Sequence, residues 1–385
     1  MIFNIFDYMT LKVIWWCIIG FVLIVYACSA GFDYGGTLLM PFLKKESQRR
    51  LVLNVLAPTW DGNMTWVIFI GGALFIVWSV VYSTVFSGLY AVMFTVLWSN
   101  FLRPPGFDYR SKIDNPLWRR FWDFALFVSS IIPMFMFGFI FGNLLMGMPF
   151  SFDPIYLRSY YSGNFWMELN WIGILSGLVS VCVLAMHGCS YICLRTEGEV
   201  RENFQKKQAV FGVLFLILFT ASGFVVAYHV PGYILQKSPI YPTGHPLSNE
   251  VIVKVGAWVD SYRDHWWKII GPVFAYIGVF FAIGGTKSEN YAWGFWSSCL
   301  AVGGTILTAG FSLYPFIVPS STKPNQSITV WNATSSYYSL SIIFLLCIIL
   351  FVIIFSYKIW AYMSIWRKNP ILTEQEILKD THSFY

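Results

Sequence analysis

Long apolar runs bounded by aromatic residues and separated by short charged segments occupy residues 11–42, 52–79, 82–102, 121–146, 167–194, 208–230, 266–285, 291–316 and 337–362. A helix needs about 20 residues to cross a hydrocarbon core of about 30 Å, so the pattern predicts an all-α polytopic membrane protein with nine transmembrane helices. The first run is overlong, which predicts tilt or projection beyond the membrane. Around Ser79 to Tyr82 the chain has almost no polar content, and merging the second and third runs gives eight spans instead. The basic clusters arbitrate. With the N-terminus outside, Lys44, Lys45, Arg49 and Arg50, then Arg103, Arg110, Lys112, Arg119 and Arg120, then Arg195, Arg201, Lys206 and Lys207, and finally Lys358, Arg367 and Lys368 all fall inside. The positive-inside rule therefore favours nine spans, N-out and C-in.

Composition agrees with a membrane class. Of 385 residues, 57% are hydrophobic and only 11% charged, against about 25% charged in an ordinary soluble protein. No segment leaves room for a separate soluble domain. The first thirty residues read as a retained helix, because the apolar run continues past the length of a signal peptide and no small-residue cleavage site follows a short core. The net charge of +6 comes from residues flanking spans and makes no case for a nucleic-acid partner. Short matches (GFDYG at Gly31, GFDYR at Gly106, recurring Gly-Asn pairs) suggest an internal repeat. Nine spans then divide into a first four-helix unit, residues 1–148, a second, residues 149–320, with a long outside loop at 231–265, and residues 321–385 carrying an outside loop, a peripheral ninth span and an inside tail.

The chemistry concentrates near the inner ends of the first two spans. Asp33 precedes Lys44 by about eleven residues and Asp61 follows Arg50 by about eleven, so helical rise places both carboxylates roughly 16 Å from the inside charge cluster. Acids at that depth are costly unless paired, hydrated or protonated. They suggest a proton path, an ion site or a hydrogen bond to a polar head group; the alternative is a structural clamp using Thr37, Asn63, Thr65 or the backbone freed by Pro58. Trp60 beside Asp61 offers a ring platform on which a quinone-like ring could stack while Asp61 or Asn63 bonds its oxygen. The stiff, charged loop RPPGFDYR supplies Arg103, Asp108 and Arg110 for a head group, a partner or internal ion pairs. His187 lies mid-span, His229, His245 and His265 towards the outside and His382 in the tail, with no metal-binding spacing. Cysteines Cys189 and Cys193 share a helix face as packing residues, and Glu168 at the outer start of the fifth span reads as structural. No phosphate loop, nucleotide fold or nucleophile elbow is present, which disfavours an ATP-driven pump or a self-contained haem enzyme.

The stretches SAGFDYGG, TWDGNMTWVIFIGGALF with its preceding Pro58, NFLRPPGFDYRSKIDNPLWRRFWD, FGNLLMGMPF, YYSGNF, LTAGFSLYPFIVPSS and the terminal HSFY resemble subunit II of the bacterial cytochrome bd quinol oxidases, including the cyanide-insensitive type. The resemblance extends over essentially the whole chain. It implies two pseudo-symmetric four-helix bundles plus one peripheral helix in a bacterial inner membrane. It also implies a heterodimer whose subunit I holds haems b and d and oxidises quinol while reducing O2. This chain then ligates no metal and has no catalytic residue of its own; phospholipids, a small single-span accessory subunit and a structural quinone are the further associations found in the family. By the same resemblance, Asp61 in PTWDGN matches the acid of the cytoplasmic proton route at the subunit interface, with Asp33 in GFDYGG beside it. The position of Ala30 often carries an acid in relatives, so a route here must pass through water, Ser29 or another group. An ion-coupled secondary transporter and a purely structural membrane subunit remain the competing classes, because paired buried acids and a twofold repeat suit the first and a clamp suits the second.

Overall fold

The computed structural model describes residues 6–237, 247, 249–368 and 371–379; His245, His382 and the terminal HSFY lie outside them. Helix α1 (Tyr8–Leu39) begins where the Asp7 carboxylate accepts the amides of Met9 and Thr10, which satisfies donors that the first turn leaves open. Shorter helices follow: α2 (Glu46–Leu56), α3 (Trp60–Val77), α4 (Ser79–Gly88), α5 (Tyr90–Asn100) and α6 (Arg103–Tyr109). Next come α7 (Pro116–Met146), capped by Asn115 with Pro116 at its first position, the short α8 (Phe165–Glu168) and α9 (Trp171–Arg195), capped by Asn170. The chain continues through α10 (Gly198–Tyr228), α11 (Ala257–Asp264), α12 (Ile270–Lys287), α13 (Tyr291–Leu313), α14 (Tyr337–Lys368) and α15 (Glu374–Lys379).

Among the described residues, eight helical segments are long and apolar enough to cross a membrane. Two of the expected spans take a different form. The run at 52–79 is not one helix: α2 stops at Leu56, the turn Ala57 to Thr59 holds Pro58, and α3 restarts at Trp60. Proline has no amide to donate and its ring clashes with the preceding turn, so the interruption falls where the sequence places it. The run at 82–102 is not a straight span either, because α4 meets the helical stretch Tyr90–Tyr109 at 82°. Helix α5 alone, at 11 residues, extends about 16 Å, roughly half the hydrocarbon core. At the bend, a Cβ on Gly88 would lie 2.5 Å from the Tyr161 ring, so glycine is what lets α4 settle there.

Among the described residues the connections also hold three antiparallel two-stranded ladders that hydropathy did not signal: β1 (Phe150–Phe152) with β2 (Ser159–Tyr161), β3 (Pro231–Lys237) with β4 (Glu250–Val255), and β5 (Phe316–Val318) with β6 (Ile328–Thr329). The described part of the long loop packs onto the bundle. Trp258 donates to the Leu145 carbonyl at 3.0 Å, and Tyr233 and Trp258 pack against Phe316.

Helix α9 is the most buried of the spans and lies against α1 and α7 on one side and α10 and α13 on another. Its approach to α1 is close. A Cβ on Gly35 would stand 2.2 Å from the Leu184 carbonyl oxygen, and one on Gly188 2.4 Å from the Gly35 backbone. Lipid tails are as apolar as leucine, so membrane helices gain from the backbone proximity that small residues permit. This crossing fixes the C-terminal half of α1, where Asp33 sits.

Candidate functional site

Asp33 has no exposed surface. Its carboxylate is held by the residues that follow the Pro58 interruption, at the start of α3: Thr59 Oγ1 donates to Oδ1 at 3.3 Å and Asn63 Nδ2 donates to Oδ2 at 2.8 Å. The helix break thus turns a hydroxyl and an amide toward an acid on the neighbouring helix. A buried carboxylate is tolerable only with such donors.

Asn63 is the branching point of the network. Its two amide hydrogens go to Asp33 and to the Ser29 carbonyl, at 2.8 and 3.1 Å. Its oxygen accepts from Tyr362 at 2.8 Å and Lys358 at 3.4 Å, both on α14, and the Lys358 ammonium also bonds the Gly62 carbonyl. All four hydrogen-bonding positions of the side chain are occupied.

Arg103 forms a second buried charge near Asp33. It is 1% exposed, lies 4.4 Å above the Tyr34 ring and donates from Nη1 to Ser130 at 3.3 Å and Thr37 at 3.5 Å. Tyr34 in turn donates to Asn100 Oδ1 at 2.9 Å and meets Tyr26 at 3.3 Å. Arg103 Nε and Nη2 meet no hydrogen-bond partner among the described residues.

Asp61 departs from expectation. It lies in the first turn of α3 but is exposed on the surface of the chain, while Asn63, Trp66 and Ile70 face inward. Helical rise sets depth along the axis and is silent about direction around it; two residues on a helix are about 200° apart, so Asn63 turned inward leaves Asp61 turned outward. Thr65, Ile68 and Gly72 share that outward side. No atom comes within 4 Å of a Cβ placed on Gly71 or Gly72.

The other expected site residues separate into distinct roles. Trp60 stacks on Phe107 with centroids 5.0 Å apart and planes 4° apart, so one face of the proposed platform is already covered. Asn63, with every hydrogen-bonding position of its side chain taken, has none left for a quinone oxygen. Arg110 is fully buried and takes both carboxylates of an ion cluster: Glu46 at 2.8 and 3.1 Å, and Asp123 at 2.5 and 3.2 Å. Arg49 adds a bond to Asp123 at 3.1 Å. The guanidinium is committed to internal pairs and ties α2, α6 and α7 together. Asp108 is exposed and away from this cluster.

His187 bonds Ser298 at 2.7 Å and the Cys28 carbonyl at 2.8 Å, joining α9 to α13 and α1 as a helix-to-helix contact. Cys189 and Cys193 are buried free thiols. Among the described residues no three His, Cys, Asp or Glu side chains gather as a metal site.

Glu168 lies before the membrane-spanning part of α9, beside a cavity of about 250 Å³ lined also by Asn143 and Asn170. Burial raises its carboxyl to about 7 from an ordinary 4.5, against a hydrogen bond from Tyr161 that lowers it. A raised acid pKa means that the folded state holds the proton more tightly than the unfolded chain, so the contribution to stability is complete below pH 4.5 and is lost as pH rises through 7. Unfolding temperatures measured at pH 5 and pH 8 are therefore expected to fall more in wild type than in Glu168→Gln.

Lys358, Tyr362 and Thr59 escaped the sequence reading. Lysine near the inner end of an apolar run reads as a topology marker, and only the fold turns it toward Asn63.

These observations describe a multi-pass membrane subunit with a polar network sealed at one end of its bundle and an acid presented on an outer face. Residues 11–365 match the family model described as cytochrome bd terminal oxidase subunit II. Cytochrome bd-I ubiquinol oxidase subunit 2 of Escherichia coli (strain K12) is 40% identical over 383 residues, covering 98% of this chain and 100% of the relative. Probable cytochrome oxidase subunit 2 of Haemophilus influenzae is 36% identical over 381 residues, with 98% and 100% covered. Among solved structures, a chain in the structure of bd oxidase from Geobacillus thermodenitrificans aligns with a TM-score of 0.68 at 12% identity, covering 94% of this chain and 99% of that one, a likeness of fold. The chain belongs to the cytochrome bd terminal oxidase subunit II family. It is thus a non-haem-ligating subunit of a respiratory quinol oxidase.

Proposed function

We propose that this chain crosses a bacterial inner membrane nine times, N-terminus outside and C-terminus in the cytoplasm, as two pseudo-symmetric four-helix units over residues 1–148 and 149–320 with α14 at the periphery. It pairs with a haem-bearing subunit I, and the α3 face carrying Asp61, Thr65, Ile68 and Gly72 is the side that subunit covers. A carboxylate turned outward from a membrane helix is costly against lipid and acceptable against protein. Asp61 and Asp33 form the cytoplasmic proton route, with Asp61 at the subunit boundary and Asp33 as the sealed acid behind it. Haem chemistry belongs to the partner, and this chain's share is to hold protons at the two carboxylates and exclude solvent around them.

One observation carries the reading: Asp33 is fully buried yet tied by Thr59 and Asn63 to the same helix start that exposes Asp61. The same bonds also suit a clamp that only joins α1 to α3, and this is the second reading. Affinity purification through this chain tests the assembly. The expected product is a heterodimer with the absorption of haems b and d, active in quinol-dependent oxygen consumption; an active, haem-free single chain would place the protein among transporters instead.

A further inference from the structure

Helix α14 is apolar for most of its length and largely exposed, as a peripheral helix should be. Lys358 breaks that pattern. It stands nine residues before Arg367, about 14 Å further along the helix, and a lysine so placed ordinarily stretches toward the membrane surface. Here its ammonium turns instead to α3, where it bonds the Gly62 carbonyl and Asn63 Oδ1 and lies 5.7 Å from the Trp66 ring. One turn later Tyr362 donates to the same Asn63 oxygen at 2.8 Å.

We propose that Lys358 and Tyr362 are positioning residues that lock the Asn63 side-chain amide with its NH2 group on Asp33, so that the peripheral helix controls the hydrogen bonding of the buried acid. An amide can turn end over end at little steric cost, and its orientation is decided by the groups around it. The two donors on the oxygen side disfavour the reversed orientation, since the Lys358 ammonium has no lone pair to accept from an NH2 group and the Tyr362 hydroxyl would have to give up donating in order to accept. The correct orientation gives Asp33 a donor. The reversed one would set a carbonyl oxygen against a carboxylate, an arrangement that is favourable only if Asp33 carries a proton and donates it. Losing the two α14 donors leaves the Ser29 carbonyl and Asp33 alone to hold the amide, so that a protonated Asp33 can turn it and become a donor held against Asn63.

The charged and titratable groups around this lock come from several helices. Asp33 on α1 and Asp61 on α3 are both within electrostatic reach of Lys358, and Arg103 on α6 is within reach of Asp33. Tyr191 on α9 and Tyr362 on α14 are also within electrostatic reach of Asp33, as are Tyr26 and Tyr34 on its own helix. Lys358 on α14 and Arg103 on α6 are thus both cations within electrostatic reach of the acid.

The functional part of the proposal rests on the proton-route reading; the structural part does not. The test uses the purified complex carrying Lys358→Met with Tyr362→Phe, and each single substitution should the pair fail to assemble. Infrared difference spectra report the carboxylic-acid C=O band assigned to Asp33 by its loss in Asp33→Asn. The expected result is a new carboxylic-acid band in the double variant, turnover lower by about tenfold with unchanged quinol KM, and recovery of both with Lys358→Arg and Tyr362 restored. If the band appears while turnover stays normal, the lock stands and the proton-route reading fails. An unchanged carboxyl spectrum in the double variant overturns the lock itself.

Discussion

Replacing Arg110 by Ala is expected to destabilise the subunit by about 3–5 kcal/mol, the cost typical of removing one partner from a buried ion pair. The side chain is fully buried and bonds two carboxylates at once, and its loss leaves Asp123, itself 3% exposed, with Arg49 alone. Glu46 is half open to solvent and keeps a longer contact to Arg119, so most of the damage falls on the Asp123 side. Arg110→Lys should recover little, because an ammonium cannot present the planar fork that reaches both carboxylates. The yield of assembled complex and its thermal unfolding, followed by haem absorption, measure the effect. Normal stability in the Ala variant would mean that the cluster is a solvated surface network.

The second large effect is expected at Asp33. Asp33→Asn keeps the shape and can still accept from Thr59 or Asn63, but it cannot take up and release a proton. Oxygen consumption with excess quinol should fall by on the order of 10² to 10⁴, the range for loss of a positioned acid or base, while haem absorption and subunit content stay near wild type. Asp33→Leu is a different case. It leaves an Asn63 hydrogen without its acceptor inside the bundle, while the Thr59 hydroxyl keeps the Leu56 carbonyl, so assembly should suffer as well. A variant Asp33→Asn with unaltered turnover favours the clamp.

Much of this was legible in the chain, and the losses have physical causes. Apolar run lengths located the spans, and Pro58 located the break that brings Thr59 and Asn63 to Asp33. Depth counting paired Asp33 with Asp61 along the membrane normal but could not say which way each side chain points. One became the most enclosed acid of the bundle and the other an exposed one. The bend within the run at 82–102 was not visible because hydropathy records that residues are apolar and not that the backbone turns at Leu89. Arg103 and Arg110 sit seven residues apart in one motif yet meet unlike surroundings, aromatic rings and hydroxyls in one case and two carboxylates in the other. Lys358 could not be found by pattern at all, since its partner Asn63 lies nearly three hundred residues earlier and the contact exists only after α14 has docked on α3.

The most direct test of the central claim is the membrane potential generated by the purified complex in proteoliposomes during quinol oxidation, compared between wild type and Asp61→Asn at equal haem content. The expected outcome is a potential that builds markedly more slowly in the variant, together with slower oxygen consumption and an unchanged haem spectrum. Equal rates of oxygen consumption and of potential generation in the two complexes would contradict a proton route through Asp61.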